Sequence, residues 1–148
     1  MKKSISLFYK KPTMFSSSEE NYLKAIYHLS MTLTKGVSTN AIAKKLNTKA
    51  SSVTDMIKKL AEKKVLVYKK YQGVQLTNEG KKTAANIIRK HRLWEVFLVE
   101  KLNFSWDEVH DVAEQLEHIK SAKLIDEIDA LLGFPKYDPH GDPIPDKE

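Results

Sequence analysis

Apolar positions recur every three or four residues along most of this chain, and the breaks in that rhythm separate its elements. Leu23, Ile26, Tyr27 and Ser30 stand at helical spacing behind Ser16-Ser17-Ser18-Glu19-Glu20. Hydroxyls there cap a first turn, and carboxylates suit its positive end. A helix to about Met31 is predicted, closed by Lys35-Gly36. Ile42, Ala43 and Leu46 follow on one face, Asn47-Thr48-Lys49 breaks the pattern, and Ala50-Ser51-Ser52 restarts it with Val53, Ile57 and Leu60 facing inward. Two helices across so short a turn read as a helix-turn-helix, and the small Ala41 and Ala43 permit a close crossing. The rhythm then shortens. Val65–Tyr68 and Val74–Leu76 are strand candidates, with Gly73 in the connection, as a hairpin requires. A helix-turn-helix followed by a basic hairpin predicts a winged helix with Lys69, Lys70, Tyr71 and Gln72 at the wing.

Beyond the hairpin the pattern is helical again. Thr77 caps a long helix from about Asn78 to Leu102, apolar over so wide an arc that it is buried on more than one side. Ser105-Trp106-Asp107-Glu108 reads as a capping box opening a helix to about His118. Ser121 caps a last helix, Ala122–Leu132, stopped by Gly133 and Pro135, and residues 137–145 are turn-rich. Trp94 and Trp106 are expected in the core, and His28 and His140 are assigned no role. Leu93, Trp94, Phe97, Leu98, Leu124, Ile128, Leu131 and Leu132 form an apolar surplus that predicts a two-fold dimer through the last three helices. The expected fold is mainly α: a basic flexible tail (1–13), a winged-helix DNA-binding domain (14–85), and a helical metal-binding and dimerisation domain (86–148).

Charge sharpens the picture. Residues 1–90 carry 19 Lys and Arg against 5 Asp and Glu, whereas residues 91–148 carry 6 against 14. A basic half suits double-stranded DNA and an acidic half suits cations. With no cysteine in the chain, neither a disulfide framework nor a thiolate metal site is available. The apolar run Ile5–Tyr9 is too short for a signal peptide core, and no run approaches a membrane span. The expected location is cytoplasmic, without a membrane partner.

Histidine and glutamate supply the candidate chemistry. His91 and Glu95 stand four apart on the long helix; His110, Glu114, Glu117 and His118 share a stripe of the next. Glu114, Glu117 and His118 offer oxygen, oxygen and nitrogen from one turn. His91 either joins them or pairs with Glu95 and His110 in a second site. Without sulfur this donor set leans to Mn²⁺ or Fe²⁺, with Co²⁺, Ni²⁺ or Zn²⁺ binding in vitro by the general affinity order. On the DNA side, the second helix of the motif is expected in the major groove. It exposes Lys49, Ser51, Ser52, Asp55 and Lys58, the lysines toward phosphate and Asp55 toward a cytosine amino group. Two other readings stand beside this one: a metal-independent winged-helix regulator, and a small metal-carboxylate enzyme or storage protein. Catalysis has little support, since no Glu-x-x-His, His-Glu-x-x-His or phosphate-binding loop occurs in the chain.

These residues resemble the diphtheria toxin repressor and manganese transport regulator family of metal-dependent repressors. The resemblance rests on Glu20–Tyr27, Ser51–Thr54, Leu76–Gly80, Arg89–Leu93, Glu114–His118 and Gly141–Pro145. It implies a winged helix joined to a helical metal-binding and dimerisation domain, and dimers that bind palindromic operators when metal is loaded. It also implies Glu114, Glu117 and His118 as the activating site, with Asn21 as a neutral ligand from the first helix. His91, Glu95 and His110 fall on an ancillary site. The chain departs from the family pattern at Asn21, where relatives have Met or Asp, and at Lys24, where manganese-type relatives have Glu. Many relatives continue into a small SH3-like domain; this sequence stops at Glu148, and either a two-domain form or a truncated one is expected.

Overall fold

The computed structural model describes residues 14–147; the expected tail, 1–13, lies outside them. Helix α1 (Ser17–Ser30) begins at a complete capping box. The Glu19 amide donates to Ser16 Oγ, and the Ser16 amide donates to Glu19 Oε1. Its inward face buries Leu23 and Ile26 completely. Helix α2 (Thr39–Leu46) is capped by Ser38 and ends at Asn47, in the left-handed region at φ 51°, a conformation asparagine tolerates. Helix α3 (Ala50–Glu62) then buries Val53, Ile57 and Leu60 and turns its other side outward.

Strands β1 (Leu66–Lys69) and β2 (Gly73–Leu76) form an antiparallel hairpin with Leu66 opposite Leu76 and Lys69 opposite Gly73. Gly73 is thus the first residue of β2, not part of the loop. Val37, just before α2, adds a bridge to Val74, with both backbone bonds formed. A side chain at Gly73 would place its Cβ 2.6 Å from the Val37 carbonyl oxygen. The close seating of the wing on the helical motif therefore requires glycine there.

Helix α4 (Asn78–Leu102) joins everything else. Its start completes the first core, built from α1, α2, α3 and the hairpin around Leu23, Ile26, Ile42, Leu60 and Val74. Its second half enters another core, where Leu93, Trp94 and Val96 pack with Ala113 of α5 (Val109–Leu116) and Ile125 and Ile128 of α6 (Ala122–Leu131). The helix runs unbroken through 85 and 86, so one rigid element belongs to both halves. Arg89 pins the C-terminal segment to it: its guanidinium lies 2.7 Å from the Asp129 carboxylate and donates to the Pro145 carbonyl. That segment, expected to be irregular, is ordered by Asp138, which accepts from the His140 and Asp142 amides, and by buried Ile144.

Three expectations change. Trp106 is 65% exposed rather than in the core. The Ser105–Glu108 box forms only in part. The Ser105 amide and hydroxyl both donate to Glu108 Oε2, but this closes a turn, and α5 starts at Val109. Much of the apolar surplus is consumed within one chain: Leu93, Trp94, Leu98 and Ile128 are buried, while Leu124 and Leu131 stay exposed.

Candidate metal centre and DNA-binding surface

Helices α4 and α5 bring His91, Glu95 and His110 together. Each offers a ligand atom, and all three lie within 4.8 Å of one another. One helical turn separates His91 from Glu95, placing both on the same face of α4, with His91 Nε2 3.4 Å from Glu95 Oε1. The other nitrogen of His91, Nδ1, lies 2.7 Å from Glu117 Oε2. Glu117 therefore orients the ring and leaves Nε2 toward the cluster.

The C-terminal segment extends this centre. His140 Nδ1 lies 3.4 Å from Glu95 Oε2, and Glu95, Asp138 and His140 form a second group at the same spacing. Sequence reasoning passed over Asp138 and His140. The only signal was a histidine two residues from a carboxylate in an irregular stretch, and no periodicity tied it to Glu95.

Electrostatics follow from burial and pairing. Burial lowers the His91 pKa, but the bonds to Glu117 and Glu95 outweigh it, and the net shift is upward. Burial also raises the Glu95 and Glu117 pKa values. Against it, His91 holds Glu95 below the ordinary carboxylate range, and His91 with Lys24 does the same for Glu117. Burial pushes Asp138 up. Glu95 Oε2 is buried and makes no well-formed hydrogen bond, although His140 Nδ1 stands 3.4 Å away. Such an atom is costly unless a cation meets it. Imidazole nitrogens and carboxylate oxygens gathered around the Glu95 carboxylate fit a divalent first-row ion.

The remaining predicted ligands are arranged differently. Lys24 of α1 places its ammonium 2.9 Å from both oxygens of Glu117 and 4.0 Å from Glu114. His118 Nδ1 lies 2.8 Å from Glu20 Oε1, with its Nε2 3.7 Å from Glu117. Glu114 and Glu117 thus face an ammonium, and His118 is turned to Glu20. Asn21 is exposed and lines the same cleft of about 1000 Å³, as do His91, His110 and His140. Glu20 and Lys24, from the first helix, are the partners that sequence reasoning did not assign. His28, on the wall of this cleft, is half-buried, and burial beside Lys45 and Lys24 lowers its pKa to about 4.

In the DNA-binding half, Lys49, Ser51, Ser52, Asp55 and Lys58 are all exposed on or just before α3. At the hairpin tip Lys69, Lys70, Tyr71 and Gln72 are exposed as well. Tyr71 stands out at 92% exposure with a left-handed φ of 67°, and the Lys70 ammonium lies 5.3 Å from its ring. The motif thus presents an outward helix and an outward basic loop.

The fold and the cluster define a winged-helix DNA-binding protein with a divalent-metal centre. Residues 14–74 match the N-terminal DNA binding domain of the iron dependent repressors, and residues 77–146 match their metal binding and dimerisation domain. The chain belongs to this iron-dependent repressor family, whose members are metal-responsive, dimeric transcriptional repressors and not enzymes. It is 37% identical over 126 residues to the HTH-type transcriptional regulator MntR of Oceanobacillus iheyensis, covering 84% of each chain. It is 44% identical over 70 residues to a probable metal transport system membrane protein of Chlamydia trachomatis, covering 47% of this chain and only 16% of that protein. Among solved structures, a manganese-dependent transcriptional repressor in complex with manganese superposes with a TM-score of 0.74 at 43% identity. That match covers 86% of this chain and 58% of the other. Among the described residues, no helix is long and apolar enough to cross a membrane.

Proposed function

We propose that this chain is a cytoplasmic, homodimeric repressor of metal-homeostasis genes that reads palindromic operators when Mn²⁺ or Fe²⁺ is bound at His91, Glu95 and His110, with Asp138 and His140 beside them. The observation that carries this reading is the buried carboxylate of Glu95, which has His91 at one oxygen, His140 at the other, and His110 of α5 within reach. A bound divalent ion supplies two positive charges at that carboxylate.

The chain's own residues do the rest. His91 and Glu95 stand on α4, whose first turns belong to the DNA-binding core, so a change in α4 is transmitted along one rigid helix. His110 adds α5, and Asp138 and His140 add the C-terminal segment. Closing these donors on one centre fixes the helical half against α4. The exposed Leu124 and Leu131 on α6 suit a subunit contact, which sets the spacing of two α3 helices at about one helical turn of DNA or a multiple. Lys49 and Lys58 then meet phosphate, and the α3 side chains between them meet base edges.

Glu95→Gln tests this reading. It keeps the shape of the side chain and removes its charge. The variant is expected to stay folded by circular dichroism and to keep weak, salt-sensitive DNA binding, but to lose the Mn²⁺-stimulated part. Full Mn²⁺ stimulation in this variant would contradict the proposal.

A further inference from the structure

Glu20 of α1, Glu114 of α5, and Glu117 and His118 just after it gather three carboxylates and an imidazole between the two helices, a donor set that would attract a divalent ion. The centre of that set is not open. Lys24 reaches across from α1, donates to both oxygens of Glu117 at 2.9 Å, and comes within 4.0 Å of Glu114. Its side chain is 15% exposed and that of Glu117 is fully buried, so water screens the pair little. Glu117 spends its remaining bonding on His91 Nδ1, at 2.7 Å.

We propose that Lys24 is a resident cation that takes the place of a second metal ion, so that this chain loads metal only on the His91–Glu95–His110 side. The proposal rests on the metal-centre reading above. It follows from charge and geometry. An ammonium bound to both oxygens of a buried carboxylate satisfies it, and a divalent ion in the same place would meet a like charge at contact distance. The contact also joins α1 to the turn after α5 without any ion. It completes a line of bonded groups from the centre to the DNA-binding half: His91 Nε2 at the cluster, His91 Nδ1 to Glu117, Glu117 to Lys24, and Lys24 on α1. Lys24 is thus a positioning residue, holding Glu117 where it orients His91.

The test counts ions. Purified full-length parent, Lys24→Arg and Lys24→Glu are dialysed to saturation with Mn²⁺, and bound metal per chain is measured by mass spectrometry, with circular dichroism as the check on folding. Lys24→Arg is expected to bind as many ions as the parent, and Lys24→Glu one more per chain. A folded Lys24→Glu with the parent's count overturns the proposal. A second measurement uses the parent alone. The Lys24 ammonium resonance, assigned by nuclear magnetic resonance, is expected to stay hydrogen-bonded and slowly exchanging when the protein is saturated with diamagnetic Zn²⁺. Its release on loading overturns the proposal even if Lys24→Glu does not fold. A folded parent that binds no metal removes the metal-centre reading and this proposal with it, whereas a parent that binds metal but fails either Lys24 arm overturns this proposal alone.

Discussion

Glu117 Oε2 lies 2.7 Å from His91 Nδ1, and His91 Nε2 points the other way, to Glu95. The carboxylate fixes which nitrogen is free to bind a metal and makes it a better donor. Glu117→Gln keeps a hydrogen-bonding group but removes the charge. Calorimetry is expected to show Mn²⁺ binding weakened about 10–100-fold, the usual effect of losing such a partner. Unchanged affinity would mean that Glu117 does not orient the ring.

The same pairing predicts a pH dependence. His91 is raised above 6.5 because Glu117 and Glu95 outweigh the burial that opposes its protonation. In the metal-free protein the imidazolium is therefore held more firmly than in a free histidine, and a metal competes with that proton. Mn²⁺ affinity is expected to rise with pH through 6.5 and to level off only above the raised His91 value. Calorimetry in buffers of different ionisation enthalpy should register proton release. Binding that is flat between about pH 6 and about pH 8 would contradict the assignment.

The DNA-facing lysines give a separate prediction. Lys49 and Lys58 are exposed at the start and on the outer side of α3. Lys49→Ala and Lys58→Ala are each expected to weaken binding to every duplex and to reduce the slope of log affinity against log salt by about 1. Asp55→Asn should change sequence preference without lowering that slope. Fluorescence anisotropy over a salt series checks both. A Lys58→Ala protein with the parent's affinity and slope would remove α3 from the interface.

The helices and the wing were legible because local rules agree with the tertiary structure. The Ser16 and Thr77 caps, the break at Asn47 and the wide apolar arc of α4 are written in short windows of sequence. His91, Glu95 and His110 were legible because helical spacing places the first two on one face, and the next helix follows closely. What lay beyond such windows was missed. His140 and Asp138 reach Glu95 through a turn held by backbone bonds to Asp138, and nothing periodic announces that. Trp106 is apolar enough to suggest the core, yet it sits in the turn before α5, where its ring rests against His140. The contact of Lys24 with Glu117 spans 93 positions, so the charge of Lys24 was visible but its partner was not.

The most direct test of metal-controlled DNA recognition is a selection from random-sequence duplexes with the parent protein, run in parallel with Mn²⁺ and with a chelator. The account predicts a palindromic sequence recovered only with Mn²⁺, bound by a dimer, and sequence-independent, salt-sensitive binding under chelation. Recovery of the same sequence at the same affinity in both arms would contradict it.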